Sequence, residues 1–486
     1  MFDKLTLLKA VEMLRNKEIS SVEMTKESLK RAKESKSNAF VTICETEALD
    51  MAKNADEKII KGENSPLLGL PIAIKDLFCT KNIRTTACSK MLENFVPPYE
   101  SDVTQKLWND GAVCLGKTNM DEFGMGSANI NSFFGPVISN WRSKSNPTKD
   151  LVPGGSSGGS AVAVSSGICL ASTGSDTGGS IRQPAAFCGI VGVKPSYGMC
   201  SRYGMVAFAS SLDQAGVLTK TVKDAAYLMQ SIAGATSNDS VMHKHAKYDF
   251  TSMIDGNING LKIGIPKEFH SEHVAPDIMK AWDESIKNLE KRGAIIKEIN
   301  LPHAEKSLNI YYIIAPAEAS SNLARYDGVR YGFRADGDFK NIHEMYVKSR
   351  SMGFGEEVQR RIMIGTFVLS SKSYNEQYLK AMKVRRVIKN DFDAAFKKID
   401  AIICPTTPNT AFGIKDKFDN PVLMYLNDIY TVPVNLVGLP GISVPCGLSS
   451  DGLPIGMQVI TNSMQDVLMY KIADVLENYW KQIDNK

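Results

Sequence analysis

The feature that most constrains this chain is residues 151–196, LVPGGSSGGSAVAVSSGICLASTGSDTGGSIRQPAAFCGIVGVKPS. It holds two glycine–serine clusters, residues 154–160 and 178–180, separated by an apolar run and a further Ser/Gly-rich segment. Glycine is used where the backbone takes positive φ or runs close against another group. Serine hydroxyls both donate and accept hydrogen bonds. Two such clusters describe a built site rather than a linker. The pattern alone leaves open whether that site performs chemistry, holds an anion or only turns the chain.

Composition narrows the classes. With 486 residues, 43% hydrophobic and 23% charged, the chain is long enough for a large buried core. A net charge of +4, with Lys and Arg scattered, gives no polybasic surface, so a nucleic acid would have to be held largely by something else. The nine cysteines form no C-x-x-C pair and sit mostly in apolar runs, which predicts buried thiols in a reducing compartment. The first 20 residues are a charged helical pattern, not a signal peptide. Two uncharged windows are too polar or too proline-rich to span a membrane. Residues 151–175 carry 13 Gly or Ser in 25 positions, and 429–450 contain prolines 433, 440 and 445. A cytoplasmic protein is expected.

The periodicities predict an α/β fold, one large domain with a mixed central β-sheet covered by helices on both faces. Residues 1–60 have helical spacing, with Leu7, Leu8, Val11 and Leu14 on one face. Residues 68–74 (LGLPIAI) read as a buried strand delivering Lys75 at its end. Residues 103–110 read as a helix, 112–115 as a buried strand, and 160–166 and 222–233 as helices. Residues 235–260 are polar and irregular. The series 261–265, 277–292, 294–299 predicts a β-α-β unit. Residues 304–324 and 356–397 are mostly helical, 401–404 form a strand before a proline turn, and 466–479 form a final helix.

Several motifs compete for the chemistry. Residues 111–118, GAVCLGKT, fit G-x-x-x-x-G-K-[ST], but a phosphate loop needs a strand before the glycines and a helix after the lysine. Here the middle residues are themselves an apolar strand, so the match is a decoy. Residues 154–158, GGSSG, fit the nucleophile elbow G-x-S-x-G, which requires a histidine base held by a carboxylate. Histidines 243, 245, 270, 273, 303 and 343 all fall in polar loops or on helix surfaces, where a solvated side chain is the simpler reading. His270 and His273 have the spacing of a metal pair, yet no third ligand presents itself.

The remaining base is lysine, which accepts a proton at neutral pH only when burial or nearby positive charge lowers its pKa. Lys75, at the end of an uncharged strand, has the best context for that; its plain alternative is a surface lysine paired with Asp76. Ser180 follows two glycines, so the amides of Thr177, Gly178 and Gly179 can converge beside its hydroxyl as an oxyanion hole. The alternative is an anion-binding nest or a tight turn. Ser156 can bridge Lys75 and Ser180 as a proton relay. Spacing does not choose among these serines.

Lys75, residues 154–160 (GGSSGGS) and residues 176–184 (DTGGSIRQP) together resemble the amidase signature family. Longer runs, KDLFCTKNIRTTACS, GKTNMDEFGMGSAN, SRYGMVAFASSLDQAG and NDIYTVPVNLVGLPGISVPCGL, resemble the glutaminase subunits of tRNA-dependent amidotransferases. The resemblance covers nearly the whole chain. It implies 61–235 as the signature core, 236–400 as a mostly helical substrate-pocket region and 401–486 as C-terminal strands and helix. It also implies a Ser–cis-Ser–Lys triad, with Ser180 as nucleophile, Ser156 as bridge and Lys75 as base. A glutamine pocket follows, with Asp428 for the α-amino group, Arg361 for the α-carboxylate, and Tyr312 and Ser127 nearby. Arg360 and Tyr311, one residue away, compete for those places. No metal or cofactor is implied in this chain; ATP and Mg²⁺ serve a partner B subunit that handles the mischarged tRNA, and a small C subunit braces the pair. A free-standing amidase is the alternative. Residues 137–151 are a few residues longer than in many members of the family and are expected to loop outward.

Overall fold

Eleven strands form one mixed sheet in the order β1-β3-β2-β4-β6-β5-β10-β11-β9-β7-β8. They are β1 (Phe40–Ile43), β2 (Pro71–Lys75), β3 (Val113–Thr118), β4 (Ala171–Asp176), β5 (Val191–Lys194), β6 (Gln214–Thr219), β7 (Lys262–Pro266), β8 (Ile295–Ile299), β9 (Ala401–Pro405), β10 (Gly441–Leu448) and β11 (Pro454–Thr461). The computed structural model describes residues 2, 4–243, 248–270, 274–416 and 424–484.

Alternation along the strands splits the apolar residues between two cores. Ile72 and Ile74 of β2 join one core with Leu228 and Leu476, from the helices Val222–Ile232 and Asp466–Asp484. Ala73, between them, points into a second core with Ala48 and Ala52 of Glu45–Ile60 and Val162 and Val164 of Gly158–Ser165. Helices therefore cover both faces. Strand β2 lies between β3 and β4 and is parallel to both, so Lys75, Thr118 and Asp176 come out at the same edge of the sheet. The carboxyl ends of parallel strands are where open α/β sheets build their sites.

The expected β-α-β unit is present as β7, the helix Pro276–Lys291 and β8, with the two strands parallel. Other elements depart from the expectation. The N-terminal stretch, read as helical, also contains β1, which pairs antiparallel with β3. Strand β4, ASTGSD, lies inside the Ser/Gly-rich segment between the two clusters, for which no strand is expected. Its hydroxyls are satisfied internally: Ser172 Oγ donates to Ser160 O at 3.1 Å, and Thr173 Oγ1 accepts from the Lys75 amide at 2.9 Å. A polar sequence thereby becomes a buried central strand. The helices Arg182–Cys188 and Ile342–Gly353 were also not anticipated. Residues 138–150 contain no helix or strand, yet they are anchored. Trp141 Nε1 donates to Cys188 O at 2.9 Å and the Ser145 amide to Asp451 at 2.7 Å. In the phosphate-loop match, Lys117 is wholly buried inside β3.

Candidate active site

Lys75 ends β2 with its ammonium group wholly buried. Nζ lies 2.9 Å from Ser156 Oγ, 2.7 Å from Ser157 Oγ and 2.8 Å from Ser175 Oγ, with Ser175 O at 3.4 Å. Burial pulls its pKa down to about 7, against the opposing charges of Asp121 and Asp176. A lysine with that pKa is partly neutral at physiological pH, and its hydroxyl neighbours can donate to a neutral amine as readily as they accept from an ammonium.

The two glycine–serine clusters meet here. The peptide bond between Gly155 and Ser156 is cis, and the Ser157 amide donates to Ser180 O at 3.2 Å. The structure thus joins Lys75 to Ser156 directly and brings Ser180 alongside. Among the described residues the Ser180 hydroxyl makes no hydrogen bond. At 8% exposure Ser180 is the most accessible of these serines, where Ser156 and Ser157 are at 0%. Gly179 has φ +143°, and a Cβ there would sit 2.3 Å from Thr431 Oγ1. Close packing also dictates Gly155, where a Cβ would lie 2.1 Å from Asp121 Oδ2. The carbonyls of the loop are tied back, Gly178 O accepting from Thr431 Oγ1 at 2.7 Å and Gly179 O from the Gln183 amide at 2.8 Å. The amides of Thr177, Gly178, Gly179 and Ser180 donate to no group among the described residues.

Buried carboxylates hold this frame. Asp176 is gripped by Arg182, Nη2 to Oδ1 at 2.9 Å and Nε to Oδ2 at 3.0 Å, and by Asn435 Nδ2 at 2.8 Å. Burial alone would raise its pKa, but the Arg182 charge and these hydrogen bonds hold it down at about 2. Asp121 Oδ2 accepts from the Asn129 amide at 2.9 Å, Oδ1 from that of Asn131 at 3.1 Å, and burial lifts it to about 6. Asp213 takes the Thr177 hydroxyl at 2.6 Å and the Phe208 and Ala209 amides; burial lifts it to about 6 as well.

The expected pocket residues lie together. Ser127 donates its hydroxyl to Asp428 Oδ2, and the two are 301 residues apart in sequence. Burial raises Asp428 to about 7, against the Ser127 hydrogen bond and the Arg361 charge. Arg361 is 4% exposed, its guanidinium carbon 5.5 Å from the ring centre of Tyr312 and 5.6 Å from that of Phe208. The neighbouring Arg360 side chain is 50% exposed, so of the two it is Arg361 that faces inward. Both tyrosines have a place. Tyr312 packs at a tilt against Tyr425, ring centres 4.2 Å apart, with Arg361 over both rings, and Tyr311 packs against Gly178, whose added Cβ would lie 2.8 Å from Cζ.

The histidines lie elsewhere. His243 sits against Tyr197 and Gly198, His270 stacks on Trp282, His303 pairs with Asp391 and His343 is exposed. His245 and His273 lie outside the described residues, so the His270–His273 pair is not described. Among the described residues no group of three or more His, Cys, Asp or Glu is arranged to hold a metal ion, and no helix is long and apolar enough to cross a membrane. All nine cysteines are buried. Ser157, which the nucleophile elbow shifted by one residue offers as a nucleophile, instead contacts the Lys75 amine. Sequence reasoning did not single out Ser175, Asp121, Arg182, Asp213, Thr431 or Asn435. All six fall inside the runs quoted above, but their spacing carries no sign of which residue each would meet.

The sequence matches the Amidase family over residues 23–469. It is 52% identical over 475 residues to the A subunit of glutamyl-tRNA(Gln) amidotransferase from Parvibaculum lavamentivorans, covering 98% of this chain and 96% of that protein. The corresponding protein of Xanthobacter autotrophicus is 53% identical over 477 residues, with 98% and 96% covered. The crystal structure of the glutamyl-tRNA(Gln) amidotransferase A subunit from Thermotoga maritima superposes with a TM-score of 0.80 at 40% identity, covering 98% of this chain and 95% of that one. A buried lysine among serines, two apposed glycine clusters and full-length similarity lead to one assignment: the chain belongs to the amidase family.

Proposed function

We propose that this chain is the glutaminase subunit of a tRNA-dependent amidotransferase, supplying ammonia for conversion of Glu-tRNA(Gln) to Gln-tRNA(Gln). The observation that carries the chemistry is the wholly buried Lys75 amine 2.9 Å from Ser156. Neutral Lys75 takes the Ser156 hydroxyl proton as Ser156 takes that of Ser180, and Ser180 Oγ attacks the side-chain carboxamide carbon of glutamine. The amides of Thr177, Gly178, Gly179 and Ser180 receive the oxyanion. The relay returns the proton to the nitrogen, the C–N bond breaks and ammonia leaves. Water then attacks the γ-glutamyl ester, the relay takes its proton, and Ser180 departs reprotonated with glutamate released. Asp428 and Arg361, flanked by Ser127 and Tyr312, fit the ammonium and carboxylate of an amino acid.

The similarity to amidotransferase A subunits supports the wider setting. Ammonia passes to a partner B subunit that activates mischarged tRNA with ATP and Mg²⁺, a small C subunit braces the pair, and the complex works in the cytoplasm. This chain's modest charge of +4 suits a protein that leaves tRNA mainly to its partner. In the assembled complex, Ser180→Ala is expected to abolish glutamine-dependent amidation while free ammonia still supports it. Loss of both activities would count against the assignment. Mass spectrometry after treatment with an electrophilic glutamine analogue should find the label on Ser180. Full turnover of simple amides by the isolated chain would favour a free-standing amidase.

A further inference from the structure

Arg361 reaches the pocket through a carboxylate that the mechanism does not use. It lies on the helix Glu356–Val368, one turn after Glu357, and Nε donates to Glu357 Oε1 at 2.8 Å. The same Oε1 accepts from Tyr425 Oη at 3.2 Å, and Oε2 accepts from Arg360 Nη1. Glu357 therefore joins two separate pieces of chain. One is the helix bearing Arg361; the other is the segment in which Tyr425 precedes the turn Leu426–Asp428. The guanidinium is also fixed in plane, since Phe208, Tyr312 and Tyr425 lie with ring centres 5.6, 5.5 and 5.9 Å from its carbon. With Nε occupied, Nη1 and Nη2 make no hydrogen bond among the described residues, although the side chain is only 5% exposed. Nη1 and Nη2 are thus left open, and a planar pair of N–H groups matches a carboxylate.

We propose that Glu357 is a positioning residue that sets the pocket for an α-amino acid. It holds Arg361 by Nε so that both amino groups face the α-carboxylate, and through Tyr425 it fixes the distance from that fork to Asp428, the site of the α-ammonium. The inference rests on the glutaminase reading and adds what enforces its choice of a zwitterion over a plain amide.

The test compares two substrates in the assembled complex, glutamine and 4-aminobutanamide, which lacks only the α-carboxylate. Glu357→Gln keeps shape and one acceptor but loses the charge, and Glu357→Ala loses both. KM for glutamine is expected to rise about 10-fold in the first and about 100-fold in the second, with kcat within about 3-fold. For 4-aminobutanamide, kcat/KM should stay within about 3-fold in both, because the interaction lost is with a group this substrate does not have. Equal losses on the two substrates, or an unchanged KM for glutamine, would overturn the assignment to Glu357 while leaving the glutaminase intact. An unaltered complex that hydrolyses 4-aminobutanamide as well as glutamine would overturn both.

Discussion

Lys75 and Lys194 occupy like positions and do unlike things. Each ends a strand, β2 or β5, each follows an apolar run, and each is held at a pKa of about 7 chiefly by burial. Arg182 adds to the depression at Lys194. The difference lies in what they face. Lys194 donates to two carbonyls, Leu439 O at 2.5 Å and Pro195 O at 2.9 Å. Carbonyls only accept, so a lysine there serves by keeping its protons. Lys75 faces the hydroxyls of Ser156, Ser157 and Ser175, which can reverse direction when the amine gives up a proton. A lowered pKa makes a base available; only reversible partners let it work.

The hardest way to break this comparison is to exchange each lysine for methionine in turn. Lys75→Met should reduce glutamine hydrolysis by about 100- to 10,000-fold, the range of a lost general base, with ammonia-dependent amidation kept by the complex. Residual hydrolysis within about 10-fold of the parent would remove Lys75 from the mechanism.

The pH profile tests the same point more gently. A base must be neutral, so kcat for glutamine hydrolysis should hold above pH 7 and fall about 10-fold per pH unit below it. Asp428 also titrates near 7 in the free protein. In the proposed pocket the ammonium of bound glutamine would keep that carboxylate ionised, so kcat is expected to report Lys75 and kcat/KM both groups. A kcat that rises as pH falls would contradict the assignment.

Much of this was legible in the sequence, and the failures have physical causes. The strand before Lys75 was clear because its apolar run is short and uncharged. That same criterion picks out Lys117, inside β3, and Lys194, at the end of β5, both buried, so by itself it does not separate Lys75 from them. The choice depends on partners 81 and 82 residues away, which no local pattern encodes. Arg361 is a different case. Val358, Arg361, Gly365 and Val368 form the buried stripe of their helix, a spacing of three and four residues, so periodicity favours Arg361 over Arg360. Strand β4 was hidden for the opposite reason. Its serines and threonine imitate a loop until distant groups satisfy them.

On the other side of the comparison, Lys194→Met should leave glutamine hydrolysis within about 3-fold and act on stability. Two buried carbonyls lose their donor, a cost of about 1–3 kcal/mol, partly offset by burying an apolar chain of similar length. A lower thermal midpoint with unchanged kcat is the expected pair of results. A loss of kcat without a change in midpoint would mean that Lys194 too takes part in the reaction.

The smallest effect is the most specific. As an ammonium, Lys75 has three N–H groups, matched by the hydroxyls of Ser156, Ser157 and Ser175. As an amine it has two N–H groups and a lone pair, so one hydroxyl, that of Ser156, turns to donate while the other two still accept. Ser157→Ala removes an acceptor that the cation needs more than the neutral amine does. The plateau value of kcat should fall by about 10-fold or less, and the inflection of the kcat profile should move to lower pH by about one unit. Ser156→Ala should lower the plateau much further, because it removes the route between Ser180 and Lys75. If Ser157→Ala instead moves the inflection upward, Ser157 does not stabilise the charged lysine, and Lys75 differs from Lys194 by less than its three hydroxyls suggest.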